Sequence, residues 1–311
     1  MNNFNRREFI KLTGAAGISS LLIPSLAADE MAKKKSAIGS TFILWGYGVN
    51  NLEPALKDIS QLGFHAFETF GDVIEQWEKN KGGFQELISK YNLPLVSAFC
   101  GTDVLDPAKT KSEVEKLDRL CKITKKMGGK VIEYCAGGGS RKGYDYKEHK
   151  KNLIDSMNEY AKVVTDNGLV CALHPHTGTP VETEEEVYFV MENLDTRYMK
   201  FGPDVGQLAK GGADAIKICK DFMPLIEHVH LKDYEGGNNG YLGYSPLGKG
   251  KVDLKTILKM LEVRRNKMAG MIMFELDYDN RVKPPYTQFE AAKISHDYLA
   301  DLGYKFKKVN A

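Results

Sequence analysis

Residues 146–176 read YKEHKKNLIDSMNEYAKVVTDNGLVCALHPH, and this stretch decides the fold. Tyr146–Asn167 carries apolar residues at helical spacing, and the glycine that follows is typical of a helix end because it tolerates the left-handed conformation. Leu169–Leu173 is a short apolar run, as expected for a buried strand, and it passes directly into His174 and His176. The stretch therefore predicts a helix, a glycine turn and a strand that ends in imidazoles.

The same unit recurs along the chain. The predicted strands are Ala37–Leu44, Ala66–Phe70, Leu95–Phe99, Lys130–Cys135, Leu169–Leu173, Met199–Gly202, Ile226–Leu231 and Gly270–Leu276. The predicted helices are Leu52–Leu62, Ser112–Met127, Tyr146–Asn167, Glu184–Leu194, Ala213–Phe222, Leu254–Arg264 and Phe289–Leu302, with a broken helical stretch over Val73–Tyr91. Alternation of this kind predicts parallel βαβ units, and hence an α/β fold with one (β/α)8 TIM barrel over residues 37–311. An open doubly wound sheet is the alternative, but Leu44–Gly48 after the first strand lacks its glycine-rich phosphate loop.

The N-terminal segment differs from the rest in composition. Arg6 and Arg7 precede a mostly small and apolar run from Leu12 to Leu26, which is the layout of a secretory signal and resembles the twin-arginine type. We expect residues 1–27 to be a signal peptide removed on export to the periplasm, and residues 28–36 to be a spacer. An amphipathic helix is the alternative. No other run approaches the ~20 apolar residues of a membrane span, so no stable membrane association is expected after removal.

Composition narrows the classes of partner. The formal net charge of +2 is too small to favour a nucleic acid or an anionic membrane surface, so we expect a small molecule. The five cysteines form no Cys-x-x-Cys pair and are predicted to be buried free thiols; they are Cys100, Cys121, Cys135, Cys171 and Cys219. The oligomeric state stays open, a homo-oligomer included.

Ionisable residues collect at the predicted strand ends, where the active site of a barrel lies. They are Glu68, Glu133, His174, His176, Asp204, His228, His230, Lys232, Glu275 and Asp277. Side chains alternate along a strand, so His228, His230 and Lys232 share one face, which we expect to be the inner one. Buried charges cost roughly several kcal/mol unless they are paired or bind a metal. A structural ion-pair network or a metal site would account for the pattern.

Four motifs resemble the xylose isomerase-like barrel superfamily, also called sugar phosphate isomerases/epimerases. They are Gly202–Gly206 (GPDVG), His228–Asp233 (HVHLKD), Pro246–Gly250 (PLGKG) followed by Asp253, and Phe274–Asp277 (FELD). Their order and spacing carry the resemblance, which extends from about Ala37 to Tyr304. Each motif alone is weak, whereas the four together are specific.

The resemblance implies one divalent metal ion. Members bind it through a strand-5 carboxylate, a strand-6 aspartate, a strand-7 histidine and a strand-8 glutamate, and Asp204, His230 and Glu275 match the last three. At strand 5 the aligned residue is His174; His176 could be the fourth ligand with His174 contacting substrate, or the reverse. Mixed nitrogen and oxygen ligation suits Mn²⁺, Co²⁺, Zn²⁺ or Fe²⁺.

The His-x-His-x-Gly-Thr variant at strand 5 resembles the branch that contains inosose dehydratases. The resemblance implies an enzyme acting on a sugar, keto-sugar or cyclitol, which removes an α-proton and forms a metal-held enediolate. Imidazole in place of the usual carboxylate favours a dehydratase or lyase. A sugar isomerase/epimerase on the same site is the first alternative, and a non-catalytic periplasmic sugar-binding protein is the second.

Further roles follow from position. Lys232 could stabilise the enediolate or donate a proton, with a salt bridge to Asp233 or Glu275 as the alternative. Glu133 and His174 are the acid/base candidates. Substrate contacts are predicted for Trp45, Glu68 and Asp277, and Trp45, Tyr47 and Phe70 could form a sugar-stacking wall. Gln207 stands where DNA-repair endonucleases of this fold have a metal-binding histidine, which argues against a DNA substrate.

Overall fold

A curled sheet of eight parallel strands forms the centre of the computed structural model, which describes residues 35–279 and 281–308. The strands are β1 Ile38–Thr41, β2 Phe67–Phe70, β3 Leu95–Asp103, β4 Val131–Gly137, β5 Val170–Leu173, β6 Met199–Phe201, β7 Val229–Leu231 and β10 Ile272–Phe274. They pair in the order β6-β5-β4-β3-β2-β1-β10-β7. Bridges join Phe201 to Ile226 and Asp204 to His230, so β6 meets β7 and the sheet closes. The predicted barrel is confirmed, while the predicted signal peptide lies outside the described residues.

Ten α-helices occur in this part of the chain. They are α1 Val49–Gln61, α2 Gly71–Asn80, α3 Phe84–Lys90, α4 Thr110–Lys126, α5 Tyr146–Asp166, α6 Glu184–Asn193, α7 Val205–Lys210, α8 Ala215–Asp221, α9 Leu254–Leu261 and α10 Gln288–Asp301. The broken helical stretch is α2 and α3, separated at Gly82 and Gly83, which both have positive φ. No described helix has both the length and the apolar character needed to cross a membrane.

The helices bury one face against the outside of the barrel. In α9, Leu254, Ile257, Leu258 and Leu261 are buried at helical spacing. Each such side chain contributes about 1.5–3 kcal/mol when fully buried.

The five cysteines are buried and free, as predicted, and burial raises the pKa of the Cys171 thiol well above its usual value. They therefore act as small apolar side chains.

The loop after β7 is held by one carboxylate. Asp233 belongs to the two-residue strand β8 Asp233–Tyr234, which pairs antiparallel with β9 Tyr244–Ser245. Its Oδ2 accepts from the backbone N–H groups of Gly248 and Gly250, both at 2.9 Å, and its Oδ1 accepts from those of Tyr234 and Val252. A Cβ at Gly250 would lie 2.2 Å from Oδ1. The PLGKG motif therefore serves to wrap the loop around Asp233.

Candidate active site

Ionisable side chains from six strand ends meet inside the barrel. Those that are almost completely buried are Glu68, Glu133, His174, Asp204, His228, His230, Lys232 and Glu275. The alternation of side chains along β7 and the segment after it puts His228, His230 and Lys232 on the inner face, as predicted. The outward residues Val229 and Leu231 pack in the apolar core.

His230 lies at the centre of the cluster, between carboxylates on both sides. Its Nε2 is 2.9 Å from Glu68 Oε1, its Nδ1 is 3.0 Å from Glu275 Oε2, and the same Nδ1 is 4.0 Å from Asp204 Oδ2. Burial alone would lower the pKa of His230, but the charges of Glu275 and Glu68 raise it well above its usual value.

The two carboxylate oxygens of Asp204 contact different groups. Oδ1 accepts from the backbone N–H groups of Gly206 at 2.8 Å and Gln207 at 2.9 Å, and so caps α7. Oδ2 faces the cluster, 2.9 Å from Lys232 Nζ. No sequence prediction covers α7, because a helix of six residues with a glycine at its second position gives little periodic signal.

Lys232 is fully buried among carboxylates. Beyond Asp204, its Nζ is 2.7 Å from Glu275 Oε1 and 3.0 Å from Asp277 Oδ2. Burial opposes its charge, yet these carboxylates raise the pKa of Lys232 well above its usual value. The side chain fits because residue 206 is glycine: a Cβ there would lie 2.7 Å from Lys232 Cγ.

A second buried pair joins β4 to the end of β5. His174 Nδ1 is 3.0 Å from Glu133 Oε1. Burial raises the pKa of Glu133 well above its usual value and lowers that of His174 well below it, so both shifts favour the uncharged forms. Within residues 35–279 and 281–308, the buried atoms Glu133 Oε2 and His174 Nε2 have no hydrogen-bond partner. Such atoms are available to a ligand.

Glu68 faces the barrel interior, where its carboxylate contacts other side chains of the protein. Its Oε2 accepts from the Ser97 hydroxyl at 2.5 Å and lies 3.1 Å from His228 Nε2. Burial alone would raise its pKa, but the imidazoles of His230 and His228 lower the pKa of Glu68 to about 2. Ser97 was not predicted from the sequence, although a single hydroxyl at an inward position of an apolar strand was a usable signal.

His176 is engaged by neighbours outside the central cluster. Its Nδ1 is 2.7 Å from the carbonyl oxygen of Thr177, and the Gln207 amide donates to its Nε2 at 2.8 Å. The Gln207 oxygen in turn accepts from the Tyr244 hydroxyl at 2.5 Å and from Thr177 Oγ1 at 2.7 Å. Gln207 therefore connects the strand-5 loop to β9, a role that was not predicted from the sequence.

A series of aromatic contacts runs from the surface to His174. Tyr47, 54% exposed, contacts Phe70 edge to face at 5.0 Å; Phe70 contacts Phe99 at 5.1 Å, and Phe99 contacts His174 at 5.4 Å. The Trp45 indole N–H donates to Asp58 on α1 at 2.8 Å, which ties this ring to the helix layer.

Three groups of side chains bring potential ligand atoms within 4.8 Å of one another: Glu68 with His228 and His230, Glu133 with His174 and His230, and Asp204 with His230 and Glu275. The third group contains the three residues predicted from the resemblance. His176 belongs to none of the groups found among the described residues, and its role as a ligand stays a prediction. The Lys232 ammonium and the His230 imidazole lie against four carboxylates, which are those of Glu68, Asp204, Glu275 and Asp277. These oxygen and nitrogen donors, with their excess of negative charge, fit a divalent cation.

Comparisons with known proteins agree with this architecture. An inosose dehydratase of Clostridium beijerinckii is 25% identical over 279 residues, covering 81% of this chain and 90% of the relative. The crystal structure of a probable 3-DHS dehydratase from Bacillus anthracis superposes with a TM-score of 0.69 at 14% identity, over 85% of this chain and 98% of that one. The zinc-containing crystal structure of IOLI protein has a TM-score of 0.66 at 17% identity, over 88% and 100%. The profile of the xylose isomerase-like TIM barrel matches residues 56–302, and the chain therefore belongs to that family.

Proposed function

We propose that this chain is a divalent-metal-dependent enzyme that removes the proton next to a carbonyl group of a sugar, keto-sugar or cyclitol and then eliminates a β-substituent, as a dehydratase or lyase does. The observation that supports this most strongly is that the buried Glu133–His174 pair lies beside the Asp204, His230 and Glu275 group. The ring centroids of His174 and His230 are 4.8 Å apart. Relatives named as dehydratases support the same class of reaction.

Asp204, His230 and Glu275 would hold the cation. When bound, it supplies a Lewis acid that acidifies the C–H bond next to a substrate carbonyl. The neighbouring Lys232 ammonium adds positive charge, which stabilises the negative charge that develops on the substrate oxygen. The structure of IOLI protein contains zinc in the same fold, which supports a divalent cation without deciding its identity.

His174 is the proposed base. A neutral imidazole whose Nδ1–H donates to Glu133 Oε1 keeps its lone pair on Nε2, and Nε2 is the atom without a partner among the described residues. An imidazole must be neutral before it can accept a proton, and burial lowers the pKa of His174, which favours that form. Glu133 is then the residue that orients the ring.

The asymmetry of the site supports elimination. Epimerisation needs two groups that remove and return a proton on opposite faces of one carbon, and two opposed carboxylates suit that task. Here an imidazole replaces one carboxylate, and His174 can return its proton to a departing hydroxyl or alkoxide on the same face. Sugar isomerisation or epimerisation is the alternative outcome of the same first step.

Deuterium exchange separates these outcomes. The protein, loaded with Zn²⁺, Mn²⁺ or Co²⁺, is incubated in D₂O with inososes and 3-keto-glycosides, and products are followed by NMR. Exchange with loss of a substituent supports the proposal, whereas exchange with only a rearranged sugar indicates an isomerase or epimerase. Bound metal without exchange on any substrate would indicate a binding protein.

We also propose export by the twin-arginine route, supported by Arg6, Arg7 and the apolar run that follows them. The test is cell fractionation of the full chain and of a variant with both arginines changed to lysine. The wild-type protein should appear in the periplasm in a shortened form, and the variant should stay in the cytoplasm at full length. Equal export of both proteins would refute the route.

A further inference from the structure

We propose that the group eliminated at this site carries a ring, and that this ring packs on an aromatic row formed by Tyr47, Phe70 and Phe99. The substrate is then a keto-glycoside that loses an alcohol, not a cyclitol that loses water. The inference rests on the proposed elimination and names the class of its substrate.

The aromatic row lies on the inward face of the first strands, toward the mouth of the barrel. Glu68 on β2 is in register with Ser97 on β3, and their side chains meet inside the barrel. Two residues further on, Phe70 is in register with Phe99. Because side chains alternate along a strand, both rings also point inward, one layer nearer to the carboxyl ends of the strands. Both rings are half-buried, so part of each is accessible from the mouth.

Tyr47 extends the aromatic row to the surface, and its ring is held in place although it is 54% exposed. The ring contacts Phe70 edge to face, and the hydroxyl donates to Asp72 in the first turn of α2. The Asn51 amide donates to the carbonyl oxygen of Gly46 at 3.1 Å, which fixes the loop just before the ring. An exposed ring that is already fixed loses little freedom when a ligand binds, as expected of a binding surface.

The inner end of the aromatic row meets the proposed base. Phe99 contacts His174 with ring centroids 5.4 Å apart, and the next two spacings along the row are 5.1 and 5.0 Å. A single sugar or cyclitol ring is about as wide as one such spacing, so a ring that reacts beside His174 does not extend to Tyr47. A second ring, attached through the departing oxygen, reaches the outer part of the row.

The two sides of the mouth differ in polarity, which gives each substrate ring its place. After β5, β6 and β10 the side chains are polar: the Gln207 amide donates to His176 Nε2 at 2.8 Å and to Asp277 Oδ2 at 3.4 Å. Such groups suit the hydroxyls of the keto-sugar ring. The aromatic row on β2 and β3 and the loop after β1 suits the apolar face of a second ring.

The elimination balances without a further reactant. His174 Nε2 takes the proton from the carbon next to the carbonyl group, and the electron pair of that C–H bond forms a C=C bond with the adjacent carbon. The C–O bond to the leaving group breaks, and its electron pair stays on the oxygen. The proton held by His174 then converts this alkoxide into an alcohol. In a 3-keto-glycoside the bond that breaks is the glycosidic bond, because C1 is the carbon β to the C3 carbonyl.

The test compares benzyl and methyl 3-keto-β-glucosides on the Zn²⁺-loaded, full-length protein. Benzyl alcohol and methanol have nearly the same acidity, so a difference in kcat/KM reports on the ring and not on the ease of departure. We expect the benzyl compound to have a kcat/KM about tenfold higher, and Tyr47→Ala to abolish this preference by raising KM for that compound alone. Saturation-transfer NMR with unreactive benzyl β-glucoside should show contact with the benzyl protons in the wild type and a loss of contact in Tyr47→Ala.

Two variants serve as controls. Tyr47→Phe keeps the ring and removes only the hydroxyl bond to Asp72, so it should retain most of the preference. Tyr198→Ala removes a half-buried tyrosine just before β6, at the opposite end of the barrel, and should leave the preference unchanged. Thermal unfolding checks the folding of each variant.

The outcomes separate this inference from the proposed function. Equal kcat/KM for the two glucosides, a preference that survives in Tyr47→Ala, or turnover of inososes alone would overturn the aromatic row as a leaving-group site and leave the elimination standing. A protein that exchanges deuterium into no substrate would overturn both. A preference for the benzyl compound that disappears in Tyr47→Ala and persists in Tyr47→Phe and Tyr198→Ala supports the inference.

Discussion

Gly202→Ala tests the Glu133–His174 pair without substituting either residue. Gly202 follows β6, and a Cβ built there would lie 2.4 Å from Glu133 Oε2 and 2.6 Å from Oε1. The Glu133 backbone is fixed in β4, so its carboxyl group must retreat by about 1 Å to reach an ordinary contact. A shift of that size is enough to break the 3.0 Å hydrogen bond with His174 Nδ1.

The expected effect on catalysis is large and specific. A displacement of about 1 Å at a catalytic group costs roughly 10²-fold in rate, equivalent to about 2.7 kcal/mol. The overpacking itself should cost about 1–3 kcal/mol of unfolding free energy. The assay is the rate of solvent deuterium exchange into an inosose or 3-keto-glycoside that the wild type turns over, together with Zn²⁺ content and urea unfolding. Zn²⁺ content should not change, because the three atoms nearest to the new methyl group all belong to Glu133 and none to the proposed ligands Asp204, His230 and Glu275.

Gly101→Ala is the matched control, since a Cβ at this exposed position on β3 would meet only the Cys135 carbonyl oxygen, at 3.7 Å. It should leave the exchange rate unchanged. A folded, metal-loaded Gly202→Ala protein that exchanges substrate deuterium at the wild-type rate would refute the reasoning that His174, oriented by Glu133, is the base.

Three further predictions concern the charged cluster and the loop behind it. Lys232→Met leaves buried carboxylates without their ammonium, so the metal-free protein should lose about 3–5 kcal/mol of stability in urea unfolding and recover part of it with Zn²⁺; an unchanged midpoint would contradict the ion-pair geometry. Because carboxylates raise the pKa of His230 despite its burial, the charged ring stabilises the metal-free fold at low pH, and this contribution is lost as pH rises through that pKa. Cation binding must then release one ring proton of His230, so Zn²⁺ affinity should rise with pH, and calorimetric enthalpies should differ between buffers of unequal ionisation enthalpy; equal enthalpies would exclude proton release. Asp233→Asn turns an oxygen that accepts two backbone N–H groups into a donor, which should cost about 1–3 kcal/mol and expose residues 246–252 to limited proteolysis. A wild-type cleavage pattern would show that other contacts hold the loop.

The barrel and the inward face of each strand could be predicted from the sequence because both depend on local periodicity. Alternation in the β7 region was sufficient to put His230 and Lys232 inside. The contacts across the barrel could not be predicted, because the tilt and stagger of the strands decide which inward residues meet. Glu68 on β2 thus contacts His230 on β7, a pairing that strand spacing did not indicate, and its role as a substrate contact stays a prediction.

The same limit applies to the strand-5 histidines. Their position at a strand end was predictable, but the choice between them depends on neighbours from other strands. Glu133 on the adjacent strand forms a hydrogen bond with His174, and Gln207 forms one with His176. Gln207 lies in a helix that no periodic sequence pattern predicted. Sequence spacing carries no information on such lateral partners.

The division of Asp204 between a helix cap and the cluster has a mechanical consequence. Because Oδ1 is held by the first turn of α7, the carboxylate has already lost its rotational freedom in the folded chain, and a cation would meet a ligand that needs no ordering. The same rigidity works in the opposite direction. A displacement of Oδ2 would move the backbone of Gln207, whose side chain contacts both Tyr244 and His176, so a change in the cluster would reach the rim of the barrel through this side chain.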